Sequence, residues 1–198
     1  MEDHLSEPIE SHDEDLFASP PPAWPKWIGG LAIAWGGLGL TCVGLGGLGL
    51  AFQGKLVEPA LEGAPLPDAL VATGLDWALL GISLLITFVL LFGGIFCVMR
   101  SPVGRKLILI WAIVSIPTAL WSYSIQSGKQ ASLIEWAKTY PDTQYAQQVQ
   151  MSTGAVGQAI GLGLTIIFGV LVPGFFILWF GFIKTKPEQM TGTEDGVV

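Results

Sequence analysis

Residues 77–99 read WALLGISLLITFVLLFGGIFCVM, a run without a single Asp, Glu, Lys, Arg or His. At 1.5 Å per helical residue it extends about 35 Å, enough to cross roughly 30 Å of hydrocarbon. Leu, Ile, Val and Phe dominate it, and it lacks the polar stripe that a soluble helix turns to water. Arg100-Ser101-Pro102-Val103-Gly104-Arg105-Lys106 follows at once. An uncharged run of membrane length that stops at a tight basic turn predicts a transmembrane helix whose end faces the cytoplasm.

Three further stretches are equally free of charge: Ile28 to Gln53, Leu107 to Gly128 and Thr143 to Ile183. The whole chain is 13% charged and 51% hydrophobic, with a mean hydropathy of +0.59. An ordinary soluble domain carries roughly 25% charged residues. The sequence therefore predicts an all-α integral membrane protein with four transmembrane helices, at about 27–52, 77–99, 107–125 and 156–183, and a short helical outer segment between the third and fourth. The fourth run, about 42 Å long as a helix, must tilt, bend or project.

Bases beside the runs set the orientation. Lys26, Arg100, Arg105, Lys106, Lys184 and Lys186 fall on one side, against Lys55, Lys129 and Lys138 on the other. The excess predicts both ends in the cytoplasm of a multi-pass plasma (inner) membrane protein. Trp24, Lys26 and Trp27 form an interfacial anchor, since aromatic rings favour the headgroup level and lysines reach toward water. The net charge of -7 is concentrated at the start, where Glu2, Asp3, Glu7, Glu10, Asp13, Glu14 and Asp15 meet no base before Lys26. Residues 1–26 are expected to be a disordered, acidic, Pro-rich cytoplasmic tail, and 184–198 a short cytoplasmic tail. The start is too acidic and too long for a cleavable signal peptide. No basic patch points to nucleic acid, so the lipid bilayer and another membrane protein or a second copy are the expected partners.

Of the connections, 53–76 contains Pro59, Pro65 and Pro67 and reads as irregular. In 126–155, Ser132 and Glu135 have the spacing of a capping box that starts a short helix through Lys138. Pro141-Asp142 then predicts a stop and a restart toward the fourth span.

The first run contains a literal G-x-G-x-x-G at Gly44, Gly46 and Gly49. A dinucleotide site needs a preceding strand and room for a pyrophosphate, and an uncharged membrane run offers neither, so no cofactor is expected. Spacing supports another reading. Gly30, Ala34, Gly37, Thr41, Gly44, Leu48 and Ala51 recur at alternating intervals of four and three, which draws a nearly all-small seam. Gly157, Gly161, Thr165 and Gly169 repeat every four residues in the last run. Both patterns predict close helix packing, within the chain or between copies. Pro117 and Pro173 each lie about 15 Å from the cytoplasmic end of their runs, so two helices are expected to bend near the midplane.

Chemistry is scarce. Ionisable residues are absent from the predicted cores, although proton relays and coupled pumps place them there. Thr41, Ser83, Thr87, Ser115, Thr118, Gln158 and Thr165 supply the polar atoms, and hydroxyls can bond their own helix. Cys42 and Cys97 differ too much in depth to pair, and both read as packed thiols. His4 and His12 stand in the acidic tail without metal-ligand spacing, so neither a metal site nor a catalytic set is nominated.

Pro20 to Lys26, followed by Trp27-Ile28-Gly29-Gly30-Leu31-Ala32-Ile33, resembles the start of uncharacterised bacterial four-span inner-membrane proteins, in which a Pro-rich tail runs into a glycine-rich first helix. That resemblance implies no activity and no functional residues. The expectation for function is a non-enzymatic protein acting through helix packing and partner contact, with Ile134, Trp136, Tyr140 and Tyr145 of 126–155 as the contact surface. The alternative is a small transporter or channel formed by oligomerisation around the bends at Pro117 and Pro173. A continuous polar cavity at their depth discriminates the two.

Overall fold

The computed structural model describes residues 22–183, and the predicted disordered tail, apart from its last residues, and the 184–198 tail lie outside them. The described chain is helical with no strand. It contains four helices long and apolar enough to cross a membrane: Trp24–Leu61, Asp68–Val98, Pro102–Thr139 and Ala155–Ile183. The first three consist chiefly of α1 (Trp24–Val57), α2 (Gly74–Val98) and α3 (Pro102–Thr139). Next, α4 (Gln144–Thr153) is followed by a fourth span built from α5 (Ala155–Ile166), a π-helical turn (Ile167–Leu171), α6 (Val172–Leu178) and a second π turn (Trp179–Ile183). Among the described residues, Lys26, Arg100, Arg105 and Lys106 lie at one end of the bundle and every carboxylate lies at the other. The bundle thus has a basic end and an acidic end.

Glycine disfavours a helix by about 1 kcal/mol in water, yet α1 is unbroken through all its glycines. For a helix long and apolar enough to cross a membrane, an unpaired backbone N–H or C=O in hydrocarbon would cost several kcal/mol, more than that preference. The glycines instead set how closely the neighbours approach. A Cβ on Gly29 would lie 2.7 Å from the Gly94 carbonyl oxygen, and one on Gly94 would lie 2.9 Å from the Gly29 oxygen. Gly36 faces Leu91, Gly39 faces Thr87, and Gly47 faces Leu80. On α2 the adjacent Gly93 meets Leu107 and Ile108 of α3, so the Gly93-Gly94 pair lets one helix approach two partners.

Within the chain, the expected seam through Gly30, Gly37 and Gly44 is not the strip that packs. Gly30, Gly37 and Gly44 have nothing within 4 Å of a Cβ, and Ala34 and Thr41 are exposed. The strip that packs within the chain, through Gly29, Ala32, Gly36 and Gly39, is rotated by one residue, or about 100°. Small residues recur on both strips, so the pattern in α1 alone is degenerate, and the glycines of α2 select the register. Among the described glycines of the fourth span only Gly169 makes a close interhelical approach, since a Cβ there would lie 2.8 Å from the Ala119 Cβ. Gly161 faces open space, Thr165 bonds its own helix, and a Cβ on Gly157 would run into the Ser152 backbone at the corner into α5.

The bends divide differently from expectation. Pro117 sits inside a continuous α3 on its exposed side, whereas Pro173 is buried directly after the first π turn. Pro173 cannot donate to Gly169, and the adjacent ladder shifts to five-residue spacing, with the Val172 N–H on the Ile167 carbonyl. The capping start at Ser132 does not occur, because α3 continues through it to Thr139. The stop at Pro141-Asp142 does occur, and Thr143 restarts the chain by accepting a bond from the Ala146 N–H at 3.2 Å. The 53–76 connection is partly ordered: α1 continues to Val57, and 3-10 turns follow at Glu58–Leu61 and Asp68–Leu70. Of the cysteines, Cys97 is packed and Cys42 is exposed.

Packing is uneven along the bundle. The main core cluster, Ile28, Ala32, Leu90, Cys97, Ile108, Trp111, Ala112, Phe176 and Phe180, lies entirely in the basic half. Trp24 meets Trp179 and Phe180 there, and Trp111 meets Phe176 edge-on at 5.6 Å. Arg105 fastens the last turn of the fourth span by donating to the Phe180 carbonyl at 3.0 Å. Between α2 and α3, Arg100 has φ 58°, and Ser101 N–H reaches back to the Phe96 carbonyl at 2.8 Å. A Cβ on Gly104 would strike the backbone at Cys97, so this turn requires a bare α-carbon. In the acidic half, by contrast, α5 buries none of its residues.

Candidate functional site: a cleft in the acidic half

The loss of packing beyond Trp111 leaves a cleft of about 550 Å3 between α2, α3 and the fourth span. From α2 come Ser83, Ile86 and Thr87; from the fourth span come Gly161, Thr165, Phe168 and Gly169. The longest wall belongs to α3, where Ser115, Thr118, Ser122, Gln126 and Gln130 recur at intervals of three or four and so share one face. Trp111, Ile86, Phe168 and Gly169 form the apolar part nearest the core, and the packed aromatic cluster closes the cleft toward the basic end. The close approach of Gly169 to Ala119 marks where the fourth span leaves α3.

The polar groups fall into two sets. Several hydroxyls are engaged by backbone carbonyls of their own helices: Thr87 donates to the Ser83 carbonyl at 2.7 Å, Ser115 to that of Ala112 at 3.2 Å, Thr118 to that of Val114 at 2.8 Å, and Thr165 to that of Gly161 at 2.9 Å. The side chains of Ser83, Ser122, Gln126 and Gln130 have no partner among the described residues. Three of these, Ser83, Ser122 and Gln126, also border a second lobe of about 260 Å3 that reaches α1 and Asp76.

Asp76 belongs to a clamp at the acidic end. Thr73 donates to its Oδ2 through both N–H and hydroxyl at 2.8 Å, and the Asp76 N–H returns to the Thr73 hydroxyl at 3.4 Å, a reciprocal cap on the first turn of α2. Lys129 donates to the other oxygen, Oδ1, at 2.5 Å. The pair ties the start of α2 to α3, and no charged residue among the described residues lines the main cleft. The sequence reading of 53–76 as irregular missed this cap, although the Thr73-x-x-Asp76 spacing is the signal that marks one.

The residues expected to form a contact surface on 126–155 are largely turned inward. Trp136 packs against Tyr140 and Tyr145 at 5.2 and 5.7 Å and donates its Nε1–H to the Pro65 carbonyl at 3.0 Å. Ala137, Ala146 and Val149 form the small core beneath them, Ile134 is half-buried, and burial pushes the Tyr145 phenol pKa up. This region therefore folds α4 back onto α3. Gln158 is exposed in the second turn of α5 and lines neither cavity. No cluster of His, Cys, Asp and Glu suited to a metal occurs among the described residues, and His4 and His12 lie outside them.

No protein-family model, curated protein or solved structure matches the chain.

Proposed function

We propose that the protein is a non-enzymatic, multi-pass plasma membrane protein that receives a small molecule into the cleft from the outer side and serves as its carrier. The basic end then faces the cytoplasm, as the Arg100 to Lys106 turn favours, and the cleft opens within the outer half of the bilayer. The observation that carries this reading is the polar-walled cleft itself, which reaches the level of Pro117 and Pro173 through Ser115, Thr118 and Gly169. A protein acting only as a packing scaffold has no need for a stripe of hydroxyls and amides along a cleft, and the exposed amides of Gln126 and Gln130 leave its mouth polar. Carriers place their sites near interrupted helices at mid-depth, and the fourth span is interrupted there by one π turn and a proline. The cleft lies within a single chain, so the reading needs no oligomer.

Water access tests it. In a Cys42→Ala, Cys97→Ala background, Ser122→Cys and Gln126→Cys should react with a charged methanethiosulfonate added outside, while Ala112→Cys, in the packed half, should not. Silence at both upper positions would mean a sealed interior and would overturn the carrier reading in favour of a packing role.

A further inference from the structure

The cleft is sorted by polarity along its length, and the sorting identifies a ligand class. We propose that it binds an uncharged single-chain amphiphile, with a hydroxyl or amide headgroup at Ser83, Ser122 and Gln126 and a hydrocarbon body along Ile86, Trp111 and Phe168; this rests on reading the cleft as a binding site.

Nearer the core, the hydroxyls of Thr87, Ser115 and Thr118 already donate to their own helices and leave few donors for a ligand. Higher up, the side chains of Ser83, Ser122 and Gln126 have no partner among the described residues, and they converge where the two lobes join. A ligand satisfying both regions must be polar at one end and apolar along the rest. Its headgroup points to the acidic end and its chain to the midplane, the same direction as an amphiphile already resident in the outer leaflet, so it can enter without inverting.

Charge narrows the class further. Asp76 and Lys129 are the nearest charged groups; Lys129 occupies one oxygen of Asp76, Thr73 occupies the other, and no charged side chain lines the main cleft. An ionised headgroup would therefore lose hydration without gaining a counter-charge, a penalty that a neutral hydroxyl or amide avoids. The volume, about 550 Å3, is that of a small-molecule site.

The experiment uses the full-length protein in mild detergent. A single cysteine at Thr118, on the cleft wall, is alkylated with or without monooleoylglycerol, and its anionic counterpart lysophosphatidylglycerol is run in parallel. Monooleoylglycerol should slow alkylation and the anionic lipid should not. Replacing both Ser122→Ala and Gln126→Leu should weaken the protection roughly tenfold, the effect of one or two lost hydrogen bonds. Gly161→Trp, which fills the cleft from a position with nothing within 4 Å of its Cβ, should abolish it. Should that variant not fold, the Ser122/Gln126 pair carries the test alone.

Equal protection by both lipids would overturn the headgroup class and leave the cleft as a site. Protection that survives the Ser122/Gln126 and Gly161 changes would place the amphiphile elsewhere and overturn the proposal. Absence of protection while Ser122→Cys and Gln126→Cys still react would reject an amphiphile but keep a hydrated cleft. Unreactive cysteines at all these positions would overturn this proposal and the carrier reading together.

Discussion

Gly29 and Gly94 form a mutual contact in which each residue's missing Cβ is occupied by the other's backbone, so the effect of alanine at either position can be worked from the geometry. A methyl on Gly29 would lie 2.7 Å from the Gly94 oxygen and 2.8 Å from the Val98 nitrogen, whereas 3.4 Å begins ordinary contact. Neither neighbour is the flexible end of a side chain, so α1 and α2 must separate by several tenths of an ångström. Such overpacking costs roughly 1–3 kcal/mol. Against it stands alanine's better helix propensity, up to about 1 kcal/mol in water and smaller where lipid already enforces the helix. Gly29→Ala and Gly94→Ala should each be destabilising, by on the order of 1–2 kcal/mol. One separation relieves both clashes, so the double variant should lose less than the sum of the single losses. Gly37→Ala and Gly44→Ala have nothing within 4 Å and receive only the propensity term, so their melting midpoints in mild detergent should equal or exceed the parent's. Midpoints for Gly29→Ala and Gly94→Ala at or above those of the Gly37 and Gly44 variants would refute the packing described here.

The remaining predictions concern the two ends. Single cysteines at Ala64 and Gln147 should label from outside intact cells and one at Gly104 should not; outside labelling at Gly104 would reverse the orientation. Arg100 adopts φ 58° while its guanidinium reaches the Pro22 carbonyl at 3.4 Å. Arg100→Ala loses that bond and keeps the left-handed strain, whereas Arg100→Gly relieves it, so glycine should melt higher than alanine by the equivalent of about 1 kcal/mol. Thr73→Ala should cost about 1 kcal/mol through the lost cap. A double-mutant cycle of Asp76→Asn and Lys129→Met should give a coupling above the few tenths of a kcal/mol typical of exposed pairs, and zero coupling would mean that the clamp does not hold α2 to α3.

The span pattern was readable in the sequence because hydrocarbon imposes a single strong condition, about 20 uncharged residues in a row, and four runs meet it. Contacts between spans are weaker signals. The strips through Gly30, Gly37 and Gly44 and through Gly29, Gly36 and Gly39 are both spaced for close approach, and nothing within α1 distinguishes them. The distinction lies in Gly93 and Gly94, two adjacent glycines in a helix otherwise filled by Leu, Ile, Val and Phe, where a bare backbone matters more than in the glycine-rich α1. The extent of α3 was hidden for a similar reason. Ser132 and Glu135 have capping-box spacing, but a cap forms only where a helix begins, and no glycine or proline between Gly128 and Pro141 interrupts the one already running.

The cleft followed a different logic. Ser115, Thr118, Ser122, Gln126 and Gln130 already lie on one helical face in the sequence, but the expected third span ended near Ile125, which divided the stripe between a transmembrane core and a loop. Joined in one helix, they form a continuous polar face that needs something to meet it. Among the described residues nothing does: the fourth span separates from α3 beyond Gly169, and α5 buries no residue. That separation is local to the π turn before Pro173, which shifts the helical register and redirects the outer half of the span while Phe176 and Phe180 remain locked in the core. Closing the outer half over the cleft would place the apolar residues of α5 against the unpartnered amides Gln126 and Gln130, whose desolvation opposes closure. A ligand that supplies hydrogen bonds to those amides and hydrocarbon to Trp111 and Phe168 removes that opposition. If the cleft binds the proposed amphiphile, the outer half should therefore be more closed with ligand than without it.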